Sequence, residues 1–182
     1  MFHRTSTRLA AVLLAATLPL AACVDESDTK VGETSEDLEE SVEAKENEKP
    51  SFNVEETDPK VTDKITGESV EDPAMELSYK WQGTSSSGNG SVVVVAVTNQ
   101  SDAPMPVDTL QPKLEYNEGN KDMREAEPMD AEAAGLDMVG LDLPLGPGAT
   151  TNIKYAFDVA TGNLWDARFS IGNVTFEGNL NN

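Results

Sequence analysis

Val92-Val93-Val94-Val95-Ala96-Val97, residues 92–97, decide the fold. Five of these six residues are β-branched, stiff at χ1 and better suited to a pleated strand than to a helix. The run is apolar at odd and even positions alike, so neither face is polar, and the strand is expected at the centre of a sheet with both sides covered. Working upstream, Met75, Leu77, Tyr79 and Trp81 alternate with Glu76, Ser78, Lys80 and Gln82, the period of a strand with one buried and one wet face. The Gly/Ser stretch 83–90 between the two reads as a flexible loop. No GK[ST] follows its residues 85–90, so it is no phosphate cradle. Working downstream, 99–106 (NQSDAPMP) turns the chain. A third strand carries Leu110, Leu114 and Tyr116 up to the turn Asn117-Glu118-Gly119-Asn120, with a short return strand around Met123. Residues 128–135 fit one helical turn, with Pro128 at its start and Gly135 at its end, and 138–143 read as a further strand. After the tight turn Gly146-Pro147-Gly148, the residues Ile153, Tyr155 and Phe157 alternate inward. Segments 164–171 and 174–177 close the pattern as a hairpin, because Gly172-Asn173 supplies the positive φ angles of a two-residue turn. Seven to eight short strands with turns about every 8 to 12 residues make an all-β sandwich over 74–182.

Ahead of that domain the composition changes abruptly. Residues 24–73 hold 18 acids, 5 bases and one aromatic, Phe52, too little apolar surface to offset the entropy of ordering. This stretch reads as a disordered, anionic tether, in which the isolated Val54, Val61, Ile65 and Val70 leave room for one edge strand. Further upstream, Arg4 and Arg8 precede an uncharged stretch, 9–22, of 14 residues. That is short of the roughly 20 needed to cross a bilayer as a helix, and Pro19 breaks it ahead of small residues, as in a removable export signal. The end of this leader, Leu20-Ala21-Ala22-Cys23, resembles the lipobox of bacterial lipoproteins. The resemblance implies cleavage before Cys23, a diacylglyceryl group on its sulfur and attachment to the extracytoplasmic face of the cell membrane. The chain thus divides into a signal peptide (1–22), the lipidated Cys23 with its tether (23–73) and the sandwich (74–182).

The sandwich segment, 109 residues long, has the size of one immunoglobulin-like domain. It resembles the immunoglobulin-like domains of unknown function in Gram-positive and actinobacterial lipoproteins, a group similar in fold to a secreted mycobacterial immunogenic antigen. The residues that carry the likeness are the valine run into Thr98-Asn99-Gln100-Ser101-Asp102, then 114–119 (LEYNEG), then 145–150 (LGPGAT) leading to Tyr155-Ala156-Phe157. The resemblance implies an immunoglobulin-like β-sandwich and no assigned activity.

Composition excludes several chemistries. The only histidine, His3, and the only cysteine, Cys23, lie in or beside the leader, so past Cys23 there is no residue for Ser-His or Cys-His catalysis or for His-ligated zinc, and none for a disulfide. Loss of 1–22 leaves 11 basic against 33 acidic residues, a formal charge of −22, which repels nucleic acid and anionic headgroups. Carboxylates remain. An acidic pair at a cleft could hydrolyse a glycosidic bond, but Glu115, Glu118, Asp122, Glu125, Glu127, Asp130, Glu132, Asp137 and Asp142 are spread over loops and outward positions. Asn117, Glu118, Asn120 and Asp122 crowd one turn as oxygen ligands for calcium would, without matching an EF-hand. Trp81, Trp165, Tyr79 and Tyr155 suit a packed core better than a sugar-binding platform. The expectation is a non-catalytic, membrane-anchored interaction domain without cofactor or metal, meeting an envelope protein or polymer. An acidic envelope glycan hydrolase, or its accessory subunit, is the alternative.

Overall fold

Strand β4 (Gly90–Asn99) carries the valine run through the middle of a five-stranded sheet. The computed structural model describes residues 50–88, 90–120 and 122–182. In chain order the other strands are β1 (Lys60–Thr62), β2 (Ser69–Glu71), β3 (Leu77–Ser87), β5 (Lys113–Asn117), β6 (Met123–Glu125), β7 (Pro128–Met129), β8 (Thr150–Phe157), β9 (Ala167–Ile171) and β10 (Val174–Gly178). A 3₁₀ turn spans Thr161–Asn163. One sheet has the order β2-β3-β4-β8-β7 and the other β1-β10-β9-β5-β6. Lettering β3 to β10 as A, B, C, C′, D, E, F and G turns these orders into A-B-E-D and G-F-C-C′, the immunoglobulin-type connectivity. The molecule is an all-β sandwich, as the alternating patterns require.

The two faces of β4 explain its unbroken apolar sequence. Val93, Val95 and Val97 are fully buried in the main core between the sheets. Val92, on the opposite face, packs with Ala134 and Ala156, and Val94 lies against the same cluster with Met129, Leu136 and Val139. Segment 129–139 therefore covers the outer face of the central strand. Within the main core, Phe169 is the hub of the aromatic packing: Trp81 meets it edge-on at 5.8 Å and 69°, Phe157 at 6.2 Å and 83°, and Tyr155 tilts over it at 6.1 Å. Edge-to-face pairs of this kind add about 0.5–1.5 kcal/mol beyond the area they bury.

Four expectations need correction. Residues 83–90 are not a loop: β3 continues to Ser87 and pairs with β4 as far as Ser87 opposite Gly90. A bulge between Trp81 and Gly83 shifts the register, and Gly83 adopts φ +117° there, with the Asn182 carbonyl oxygen 2.9 Å from where a Cβ would sit. Serines in a strand interior weaken its sequence signal, yet Ser85, Ser86 and Ser87 stay in register with Val92, Ser91 and Gly90 of the long partner strand. Pro128 begins β7 rather than a helix. The helical turn starts two residues later, where Asp130 Oδ1 accepts from Ala133 N at 2.7 Å and Ala134 N donates to Asp130 O. Residues 138–143 form no strand, only the single bridge from Gly140 to Lys154. Finally, the segment read as tether contributes both β1, parallel to β10, and β2, antiparallel to β3. Val70 of β2 is 2% exposed, and Phe52 and Ile65 pack against the core. A three-residue edge strand needs one inward side chain, and such a signal vanishes in an acidic average. Residues 24–49 of the tether, and the leader, lie outside the described residues.

Candidate functional site

Most polar side chains that could carry chemistry are used to hold loops. Asp72, directly after β2, is 8% exposed and accepts five hydrogen bonds. Its Oδ1 takes Ala74 N (3.0 Å), Met75 N (2.8 Å) and Asn173 Nδ2 (2.9 Å). Its Oδ2 takes the Tyr79 hydroxyl (3.0 Å) and Asn173 N (2.9 Å). Burial opposes the charge, but donation from Asn173, Met75 and Ala74 outweighs it and holds the carboxyl below its ordinary range. Burial, reinforced by the charge and hydrogen bond of Asp72, pushes the Tyr79 phenol far above its own range. Asn173, in the β9–β10 turn, carries the link onward: its Nδ2 also donates to Glu55 O, its Oδ1 accepts from Thr57 N, and its carbonyl accepts from Lys60 N. One carboxylate thus ties β2, the start of β3 and the β9–β10 turn together, and Asn173 adds the approach to β1.

Asn99, fully buried at the end of β4, does the same for the loops on either side of it. Its Nδ2 donates to the carbonyls of Ala103 and Leu145, both at 2.8 Å, and its Oδ1 accepts from Ser101 N and Oγ. Its backbone bonds Ala149 O and Gly148 N. The segments NQSDAP and LGPG are therefore two halves of one loop junction, closed by the Met105–Leu145 bridge.

Of the acidic candidates the structure brings Glu115 and Glu125 opposite each other on β5 and β6, with Lys113 between them. Glu118 pairs with Arg124 at 2.7 Å, Glu115 and Glu125 both pair with Lys113, and Asn117 Nδ2 donates to Asp166 Oδ2 at 2.7 Å. Asn117 Oδ1 and Asn120 Oδ1 accept from Gly119 N and Asp122 N, the local bonds that shape a tight turn. Among the described residues no three His, Cys, Asp or Glu side chains gather closely enough to hold a metal ion. The aromatic candidates do not form a platform either: Trp81, Tyr79 and Tyr155 are core residues, and only Trp165, 51% exposed, faces solvent. The Trp81 indole N–H donates to Asn182 Oδ1.

Asp72, Asn173 and Asn99 are the polar residues that sequence reasoning missed. Asp72 had a readable signal, an Asx-turn acceptor two and three residues ahead of its donors, obscured by the acidic surroundings. Cys23 lies outside the described residues, and among those described no helix is long and apolar enough to cross a membrane. Comparison with family models, with curated proteins and with solved structures finds no match for this chain.

Proposed function

We propose that this chain is a cell-envelope lipoprotein, held on the extracytoplasmic face of the membrane by the lipid on Cys23 and displaying its β-sandwich as a non-catalytic interaction domain. The observation that carries the reading is the order Arg4, Arg8, uncharged 9–22 and Leu20-Ala21-Ala22-Cys23. Such a leader directs export. The charge of the rest of the chain leaves electrostatic attachment to anionic lipids unfavourable, so a stable anchor has to be hydrophobic and covalent, with two acyl chains rather than one. The use of Asp72, Asn99, Asn117 and Asp166 as loop supports favours display of surfaces over turnover of a substrate. Partners are an envelope protein or polymer.

Metabolic labelling with a clickable palmitate analogue tests the anchor. Label should enter the parent chain and be lost in Cys23→Ala, which then leaves the membrane fraction or keeps its leader. Unlabelled parent protein, or a Cys23→Ala chain processed and membrane-bound as before, would refute the anchoring.

A further inference from the structure

Strand β7 is only two residues long. The chain leaves the sheet edge after Met129 and rejoins it at the Gly140–Lys154 bridge. Opposite this interruption, a cavity of about 260 Å³ opens between β7, β8 and the stretches 110–112 and 139–140. Leu110, Pro112, Met129, Val139 and Phe157 supply half of its wall, and no charged side chain lines it.

Tyr155 also lines the cavity. It is 9% exposed, and its hydroxyl makes no hydrogen bond to any described residue. Gln111, the other polar side chain of the wall, is exposed and spends one amide N–H on the Asp108 carbonyl at 2.9 Å. Solvent still reaches the hydroxyl oxygen, so a ligand in the cavity can meet it, and burial of the side chain keeps this phenol neutral and able to donate. The wall is thus largely apolar, with the Tyr155 hydroxyl and part of the Gln111 amide uncommitted to the protein, the usual composition of a small-molecule site.

We propose that this cavity binds a small uncharged ligand, an apolar body of ring size bearing one carbonyl-type oxygen that accepts from the Tyr155 hydroxyl. Size and charge narrow the class. A dry cavity of about 150 Å³ takes up benzene, so this one has room for a substituted ring. An anion would meet no cation in the wall, and a cation no carboxylate. The site goes beyond the anchoring role and does not depend on it.

Acetophenone, a ring with one acceptor, and ethylbenzene, of similar size without one, are suitable probes for the full chain, followed by NMR at the methyl groups of Leu110, Met129 and Val139. Acetophenone should shift these signals saturably. Tyr155→Phe keeps the ring packed on Phe169 and removes an unpaired hydroxyl, so the melting temperature should hold or rise. In that variant acetophenone should bind about 5- to 10-fold more weakly, the worth of one neutral hydrogen bond, while ethylbenzene binds as before. Val139→Trp, which puts a large ring in the wall, should abolish both. The proposal fails if acetophenone leaves these methyls unmoved, if Tyr155→Phe binds it as tightly as the parent, or if a folded Val139→Trp still binds. A clear loss of stability in Tyr155→Phe would also overturn it, since the hydroxyl would then already have a partner. The Tyr155 comparison stands whether or not Val139→Trp folds.

Discussion

Replacing Asp72 with Asn is the most discriminating perturbation of this fold, because it keeps the shape and removes the charge. The carboxylate accepts five bonds, and among the described residues it has no basic side chain to balance it. An amide can present one oxygen, so two or three donors keep a neutral acceptor. On the other side an NH₂ group meets Asn173 N–H, and the Tyr79 hydroxyl has to turn round and accept. A buried donor left unpaired costs about 1–3 kcal/mol, and bonds to a charged group are worth about 1.5–3 kcal/mol against roughly 1 for neutral ones. Counting one orphaned N–H and the weakening of the rest gives a loss of about 3–4 kcal/mol. That corresponds to roughly 10–15 °C in melting temperature for a domain of this size. Tyr79→Phe removes a single donor and should cost less, about 1–2 kcal/mol. Urea unfolding of the chain from residue 24 onward, followed by the fluorescence of the buried Trp81, measures both. The pH dependence supplies a second arm. Asp72 titrates below its unfolded value of about 3.9, so its contribution is complete above that pH and is lost as pH falls through the folded value. The gap between parent and Asp72→Asn should therefore be constant from pH 7 to about 5 and shrink below 4. A variant within about 0.5 kcal/mol of the parent, or a gap that does not close in acid, would refute the account of Asp72.

Three further outcomes follow from the same contacts. Gly172 sits at φ +53° in the β9–β10 turn, and a Cβ there would strike the Tyr79 hydroxyl, Asp72 Oδ2 and Met75 Cε; Gly172→Ala should cost more than about 2 kcal/mol by calorimetry. Val95→Asp places an unpaired charge in the fully buried centre of β4 and should abolish the cooperative melt, whereas Glu118→Ala, which loses the surface pair with Arg124 and a long 3.3 Å bond from the Tyr116 hydroxyl, should change stability by less than about 0.5 kcal/mol. A chain beginning at residue 74 lacks β1, β2, Val70 and Asp72, and should be unfolded or lose several kcal/mol. One beginning at residue 50 should melt like the chain from residue 24, as amide exchange and calorimetry of the three would establish.

The parts of the fold that were legible in the sequence are those where one residue's burial repeats along a strand. The valine run, the Met75-to-Trp81 alternation and Ile153-Tyr155-Phe157 each place three or more side chains in the core, and a periodic signal of that length survives averaging. The Gly172-Asn173 hairpin was legible for a different reason: few residues adopt φ +53° without strain. Where a strand buries one side chain or none, the signal disappears. β2 depends on Val70, β7 is two residues long, and the serines of β3 beyond the bulge are held by backbone bonds that no side chain announces.

The candidate site was less legible than the fold, because polar residues do not reveal from sequence whether they face a ligand or a neighbouring backbone. Asn117, Glu118, Asn120 and Asp122 looked like oxygen ligands, and Asn117 and Asn120 turn out to stabilise their own turn while Glu118 pairs with Arg124. Asp72 and Asn173 looked like a linker acid and a turn residue, 101 positions apart, and meet in one buried network. That network also sets where the domain begins. Asp72 can stay ionised at 8% exposure only while five donors surround it, and those donors come from the β2–β3 connection, β3 and the β9–β10 turn. Removing the acidic segment ahead of residue 74 would therefore leave the Tyr79 hydroxyl and Asn173 N–H, both buried, without their acceptor. Those two groups place the start of the folded domain before Asp72, inside a stretch whose composition reads as tether.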